Sequence, residues 1–182
     1  MTTGARAQQA AVDARRRALV GAMTGAALLP ATARAAYEVT PWKAPRTPAM
    51  ALDDLDGKPW ALDTQRGKPV LLNFWATWCE PCRAEMPSLQ ALAARMGADR
   101  LVVVGVNYQE PEMRIRRFLE TMPVKFPILL DRDGAAAKAW TRRIFPTTVL
   151  VDASGRARTV VTGEIDWMGE AATRLVAELG AR

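Results

Sequence analysis

VLLNFWATWCEPCRAEMPS, residues 70–88, runs from an almost unbroken apolar segment into a CxxC pair and then into helical sequence. Residues 70–76 suit a central strand buried on both faces. A helix is predicted from about Pro81 to Met96. Pro81 fits the first turn, where its missing N–H is no loss. Pro87 lies deeper and predicts a kink. Cys79 and Cys82 are the only cysteines of the chain. Cys79 falls in the turn after the strand, where helix N-terminal amides favour a thiolate. Cys82 follows one turn later, within reach of a disulfide. The pattern predicts a redox centre: Cys79 attacks a substrate disulfide, and Cys82 then resolves the mixed disulfide.

Other uses of the pair fit less well. As a staple it would close so short a loop that little unfolded-state entropy is removed. Zinc or iron–sulfur binding needs about four N or S ligands, and the chain has no His. A copper site of CxxC plus Met is conceivable with eight Met residues, but they form no run. No cofactor and no metal are expected.

The chain has 182 residues, 49% of them hydrophobic, enough for one globular domain that needs no disulfide to fold. The net charge of +6 is uneven. Five of the 25 basic residues and one of the 19 acidic ones lie in residues 1–35, so the rest is close to balanced. Nucleic acid is therefore not an expected partner. Residues 1–35 read as an export signal. Arg15-Arg16-Arg17 precede the apolar 18–30, and Ala33-Arg34-Ala35 offers a cleavage site before Ala36. Arg16-Arg17 also suits a twin-arginine signal, and an uncleaved segment would serve as a tether. Export would place the CxxC in the periplasm, where disulfides persist.

Residues 36–49, rich in Pro, read as an extended linker to a domain at 50–182. Asp56-Gly57 predicts a hairpin between strands near 51–54 and 60–62. Further strands are expected at 101–107, 128–131, 147–152 and 157–163, and helices at 111–121, 135–141 and 166–179. On the last helix Met168, Ala171, Ala172, Leu175, Val176 and Leu179 are expected to face inward. The early strand–helix–strand unit implies a parallel pair, and the late pair, joined at Ser154-Gly155, must be antiparallel. The fold class is α/β, a mixed sheet with helices on both faces and an N-terminal hairpin extension.

GKPVLLNFWATWCEPCRAEMPSL (67–89), LDGKPWALDTQRGKP (55–69), FPTTVLVDASGR (145–156) and GEIDW (163–167) together resemble the TlpA/ResA/CcmG-like thiol–disulfide oxidoreductases of the thioredoxin superfamily. The likeness covers roughly residues 50–180 and implies the thioredoxin fold. It places a cis-proline at Pro146, between Phe145 and Thr147, holding open a groove where a substrate strand pairs beside the disulfide. The family often has Gly where this chain has Ile144. Thioredoxins proper carry a buried acid at Asn73, a proton acceptor for the second Cys, and Asn cannot take that part. Glu85 matches the acidic residue of the ResA-like proteins. At i,i+3 it shares a helix face with Cys82, where it would transfer protons and raise the thiol pKa. Glu80 would add to this, Pro81 would stiffen the turn, and Trp75 and Trp78 would shield the disulfide.

The resemblance implies an exported reductant of protein disulfides. Its substrates would be apocytochrome c CxxCH motifs or cysteines of copper-assembly proteins, and its electrons would come from a membrane thiol reductant of the DsbD/CcdA type. A DsbA-like oxidant would need an inserted helical domain, but only about 40 residues separate Val106 from Pro146. A Sco-like copper chaperone would need CxxxC and a His. A peroxidase of the peroxiredoxin kind would need PxxxT/SxxC, which is absent around Cys79.

Overall fold

The computed structural model describes residues 37–180; the expected export signal lies outside them. Strands β1 (Tyr37–Pro41), β2 (Ala51–Asp53) and β3 (Pro59–Ala61) precede a short 3-10 turn, Leu62–Gln65. Then follow β4 (Val70–Trp75), α1 (Glu80–Met96), β5 (Val102–Tyr108), α2 (Glu112–Thr121) and β6 (Ile128–Asp131). α3 (Ala135–Trp140), β7 (Thr147–Val151), β8 (Ala157–Gly163) and α4 (Glu170–Gly180) complete the described residues.

Six strands form one sheet in the order β1-β8-β7-β4-β5-β6. β4, β5 and β6 run parallel, while β7, β8 and β1 join antiparallel. β2 and β3 pair as the expected hairpin, Ala51 opposite Ala61. It leans on the β6 edge through the Leu55 N–H to Ile128 carbonyl bond of 2.8 Å, which covers part of an otherwise open edge.

β4 explains why the sheet needs two layers of helix. All six of its residues are buried, and side chains alternate between faces. Leu71 and Trp75 enter a core with Met86 and Leu89 of α1, Ile115 of α2 and Ala172 of α4. Val70, Leu72 and Phe74 enter the opposite core with Ala137 and Trp140 of α3. Both cysteines belong to the first core.

Two expectations change. Residues 37–41, expected within an extended linker, form an edge strand in register with β8, from Tyr37 opposite Gly163 to Pro41 opposite Thr159. Backbone pairing holds it, so its side chains need no apolar periodicity, and Pro41 is tolerated because the strand is an edge. Residues 42–49 stay irregular but are tied down: Thr47 Oγ1 accepts from the Ala157 N–H at 2.9 Å. The last helix begins at Glu170 and not at 166, because Asp166 turns the chain first. Its Oδ1 accepts from the Met168 N–H at 2.9 Å, an Asx turn that competes with helix. That turn leaves Met168 exposed, whereas Ala172, Val176 and Leu179 are buried. α1 spans Glu80–Met96 with Pro87 inside it.

Candidate active site

The site lies where β4 and β7 end side by side. Phe74 is opposite Thr147, so the turn leaving β4 and the segment entering β7 emerge together. The first carries Cys79, the second Pro146. The Phe145–Pro146 peptide bond is cis. The Trp78 and Phe145 rings meet edge-on with centroids 6.0 Å apart, and the Tyr108 and Phe145 centroids are 5.0 Å apart. These aromatic contacts join the CxxC turn to the proline segment. Thr147 is buried and its hydroxyl donates to the Ile144 carbonyl at 2.7 Å. Ile144 itself is exposed.

Cys79 is the N-cap of α1, with Glu80 and Pro81 in the first turn. Its Sγ accepts from the Cys82 N–H at 3.3 Å, the part that Ser or Asp oxygen plays at other helix starts. Cys79 and Cys82 form a disulfide with Cα atoms 5.3 Å apart. Cys79 keeps 5% of its surface exposed and Cys82 only 1%, so a partner sulfur reaches Cys79 first. Trp78 is 59% exposed and Trp75 fully buried. Trp75 therefore packs in the core, against Phe118 at 5.3 Å, and only Trp78 is placed at the surface beside the cysteines. Glu80 points to solvent.

Glu85, one turn beyond Cys82, is buried. Asn73 Nδ2 donates to its Oε1 at 2.6 Å, and the Ile165 N–H reaches Oε2 at a long 3.4 Å. Burial is the main influence and pushes the carboxyl up to about 7, helped by the charge of Glu164 and opposed by the Asn73 and Ile165 bonds. The indole N–H of Trp167 opposes the rise as well, although it has no partner within hydrogen-bond geometry. Asn73 also donates to Thr148 Oγ1 at 2.9 Å. The one amide thus links β4, β7 and the helix that carries the cysteines.

The residues missed by sequence reasoning lie on the other flank. Glu110, between β5 and α2, accepts from the Thr77 N–H and the Thr77 hydroxyl, both at 2.6 Å, and from Asn107 Nδ2 at 2.9 Å. Thr77 is two residues before Cys79. The available signal was β4–β5 pairing: a parallel neighbour sets Asn107 opposite Trp75, and the two loops leave the sheet together. Among the described residues no group of three or more His, Cys, Asp or Glu could hold a metal ion, and no helix is long and apolar enough to cross a membrane.

Residues 44–160 match the AhpC/TSA family. Thiol-disulfide oxidoreductase ResA of Geobacillus thermodenitrificans (strain NG80-2) is 37% identical over 116 residues, covering 64% of this chain and 67% of that protein. The thioredoxin-like protein YneN of Bacillus subtilis (strain 168) is 40% identical over 121 residues, 65% of this chain and 70% of YneN. Among solved structures, MTB dsbF in its mixed oxidized and reduced forms has a TM-score of 0.65 and 30% identity, over 71% of this chain and 94% of that one. The fold around the disulfide is thioredoxin-like, and the chain belongs to the AhpC/TSA family as a thiol–disulfide oxidoreductase of the ResA type.

Proposed function

We propose that the protein reduces protein disulfides by dithiol exchange. The observation that carries this is the asymmetry of the pair. Cys79 is the partly exposed cap of a helix, and Cys82 is buried behind it, one turn from a buried carboxyl pushed up to about 7. The Cys79 thiolate attacks the substrate S–S bond. One substrate sulfur leaves as a thiolate, and the other stays bound to Cys79. Cys82 loses its proton and attacks Cys79 Sγ, which releases the second substrate sulfur. Two electrons have passed to the substrate, and Cys79–Cys82 is oxidised. A carboxyl near 7 is populated in both forms at neutral pH, so Glu85 is suited to take the Cys82 proton. Asn73, which cannot titrate, holds that carboxyl in place.

The cis-Pro146 segment offers backbone beside the disulfide for an extended substrate chain. Phe145, Thr147 and Trp78 form its flanks, and Pro81 and Glu80 complete the turn between the cysteines. The substrates are apocytochrome c CxxCH disulfides or cysteines of copper-assembly proteins. A membrane thiol reductant of the DsbD/CcdA type returns electrons to Cys79–Cys82. Residues 1–35 act as the export signal, delivering the domain to the periplasm.

The test is trapping in the intact chain. Cys82→Ser is expected to hold its substrate as a mixed disulfide on Cys79, and mass spectrometry identifies it. Trapping by Cys79→Ser instead would reverse the assignment. A midpoint potential as oxidising as about −120 mV would replace the reductase by an oxidant.

A further inference from the structure

We propose that Glu110 is a positioning residue for the attacking thiol, acting through Thr77. The inference rests on the reading that Cys79 attacks. Glu110 sits in the loop after β5, where Gln109 takes a left-handed backbone with φ of 54°, uncommon for a residue with a Cβ. The Gln109 N–H is pinned to the Asp131 carbonyl at 3.1 Å. This turn sends the Glu110 carboxylate back toward the end of β4 and not out along α2.

There the carboxylate is nine-tenths buried and met only by donors. Oε2 takes the Thr77 N–H and Asn107 Nδ2; Oε1 takes the Thr77 hydroxyl, with Arg114 Nη1 3.8 Å away. Both polar groups of one residue, main chain and side chain, are gripped by a single carboxylate. Such paired, charge-assisted bonds fix orientation as well as contributing energy. Thr77 stands in the turn that closes from the Cys79 N–H to the Ala76 carbonyl at 3.2 Å. That turn sets the direction in which Cys79 enters α1. It thereby sets the approach of Cys79 Sγ to the Cys82 N–H, the donor that favours a thiolate. The disulfide holds this geometry in the oxidised protein. In the dithiol form the S–S bond is gone, and the Glu110–Thr77 grip is what keeps the cap in register. Glu85 lies one turn beyond Cys82 on α1, and Glu110 steadies the turn that carries Cys79.

The experiment uses the reduced full chain and follows alkylation of Cys79 by iodoacetamide from pH 5 to 10, with the midpoint potential against glutathione. Thr77→Val keeps the N–H bond and the Glu110 charge but removes the hydroxyl. It is expected to slow alkylation at neutral pH on the order of tenfold and move the pH midpoint upward. Thr77→Ser is expected to restore both. Glu110→Gln combined with Thr77→Val is expected to lose no more than the worse single variant, because both break one grip. A Thr77→Val protein with an unchanged pH profile and potential overturns the proposal, even if its melting temperature falls. Should Glu110→Gln fail to fold, the Thr77 pair decides alone. If the wild type itself shows no Cys79 reactivity, the attacking-thiol reading fails, and this inference falls with it.

Discussion

Glu85 and Asp152 are carboxyls with only 2% and 3% of their surface exposed, held at opposite ends of the β4–β7 ladder. Burial raises the pKa of each, yet Glu85 is pushed up to about 7 and Asp152 down to about 2. At Asp152, burial is overcome by its partners. Oδ1 accepts from the Ser154 N–H (2.9 Å), the Ser154 hydroxyl (2.6 Å) and the Arg156 N–H (3.0 Å); Oδ2 accepts from Arg158 Nε at 2.5 Å. The Arg158 charge adds to these bonds. Glu85 has one short bond from a neutral amide, one long bond, and a neighbouring negative charge at Glu164. Depth of burial and the number and charge of the donors set the protonation state together: Asp152 lies in a shallow turn among four donors, and Glu85 lies deep in the core with one short bond. The well-satisfied acid closes a turn remote from the cysteines, and the poorly satisfied one lies a turn from Cys82.

The largest test of this contrast is Asp152→Ala. It leaves Ser154, Arg156 and Arg158 without their common acceptor and is expected to cost about 3 kcal/mol in denaturant unfolding at pH 7. A loss below about 1 kcal/mol would make Asp152 an ordinary surface acid. Its pKa is lowered on folding, so its contribution is present above the unfolded value near 3.8 and is lost as pH falls through about 2.

Glu85 has the opposite sign. The folded state keeps its proton to higher pH than the unfolded state, so stability falls as pH rises from 4.5 through about 7. The shift corresponds to at most about 3 kcal/mol. Glu85→Gln is expected to remove that decline and to be more stable than the wild type at pH 8. Equal slopes for both proteins between pH 5 and 8 would show that Glu85 titrates normally. A smaller effect is expected from Asn73→Val. It deletes the 2.6 Å bond that lowers the Glu85 pKa, so the decline extends to higher pH. A midpoint that moves down would contradict the role given to the amide.

The local order around Cys79 was readable because its causes are local. The apolar run 70–76 and the Asp56-Gly57 turn lie within a few residues of what they form, and β4 and the β2–β3 hairpin appear where expected. Cys82 and Glu85 share a helix face by spacing alone. β1 was not readable, because its partner β8 lies at the far end of the chain and backbone pairing leaves no mark on side-chain pattern. The late start of α4 was missed because Asp166 satisfies the backbone locally before the apolar periodicity begins.

Sequence by itself determined that a strand, a CxxC and a helix follow one another, with one cysteine at the cap and an acid on the face of the other. Spacing and periodicity are properties of contiguous residues, so they survive without a fold. Only the tertiary structure decided what that acid is. Glu85 meets Asn73 from 12 residues away and Ile165 from 80, and Thr77 meets Glu110 from 33. Burial and donor count are sums over such distant neighbours, so only the assembled sheet fixes which carboxyl keeps its proton and which one holds the turn before Cys79.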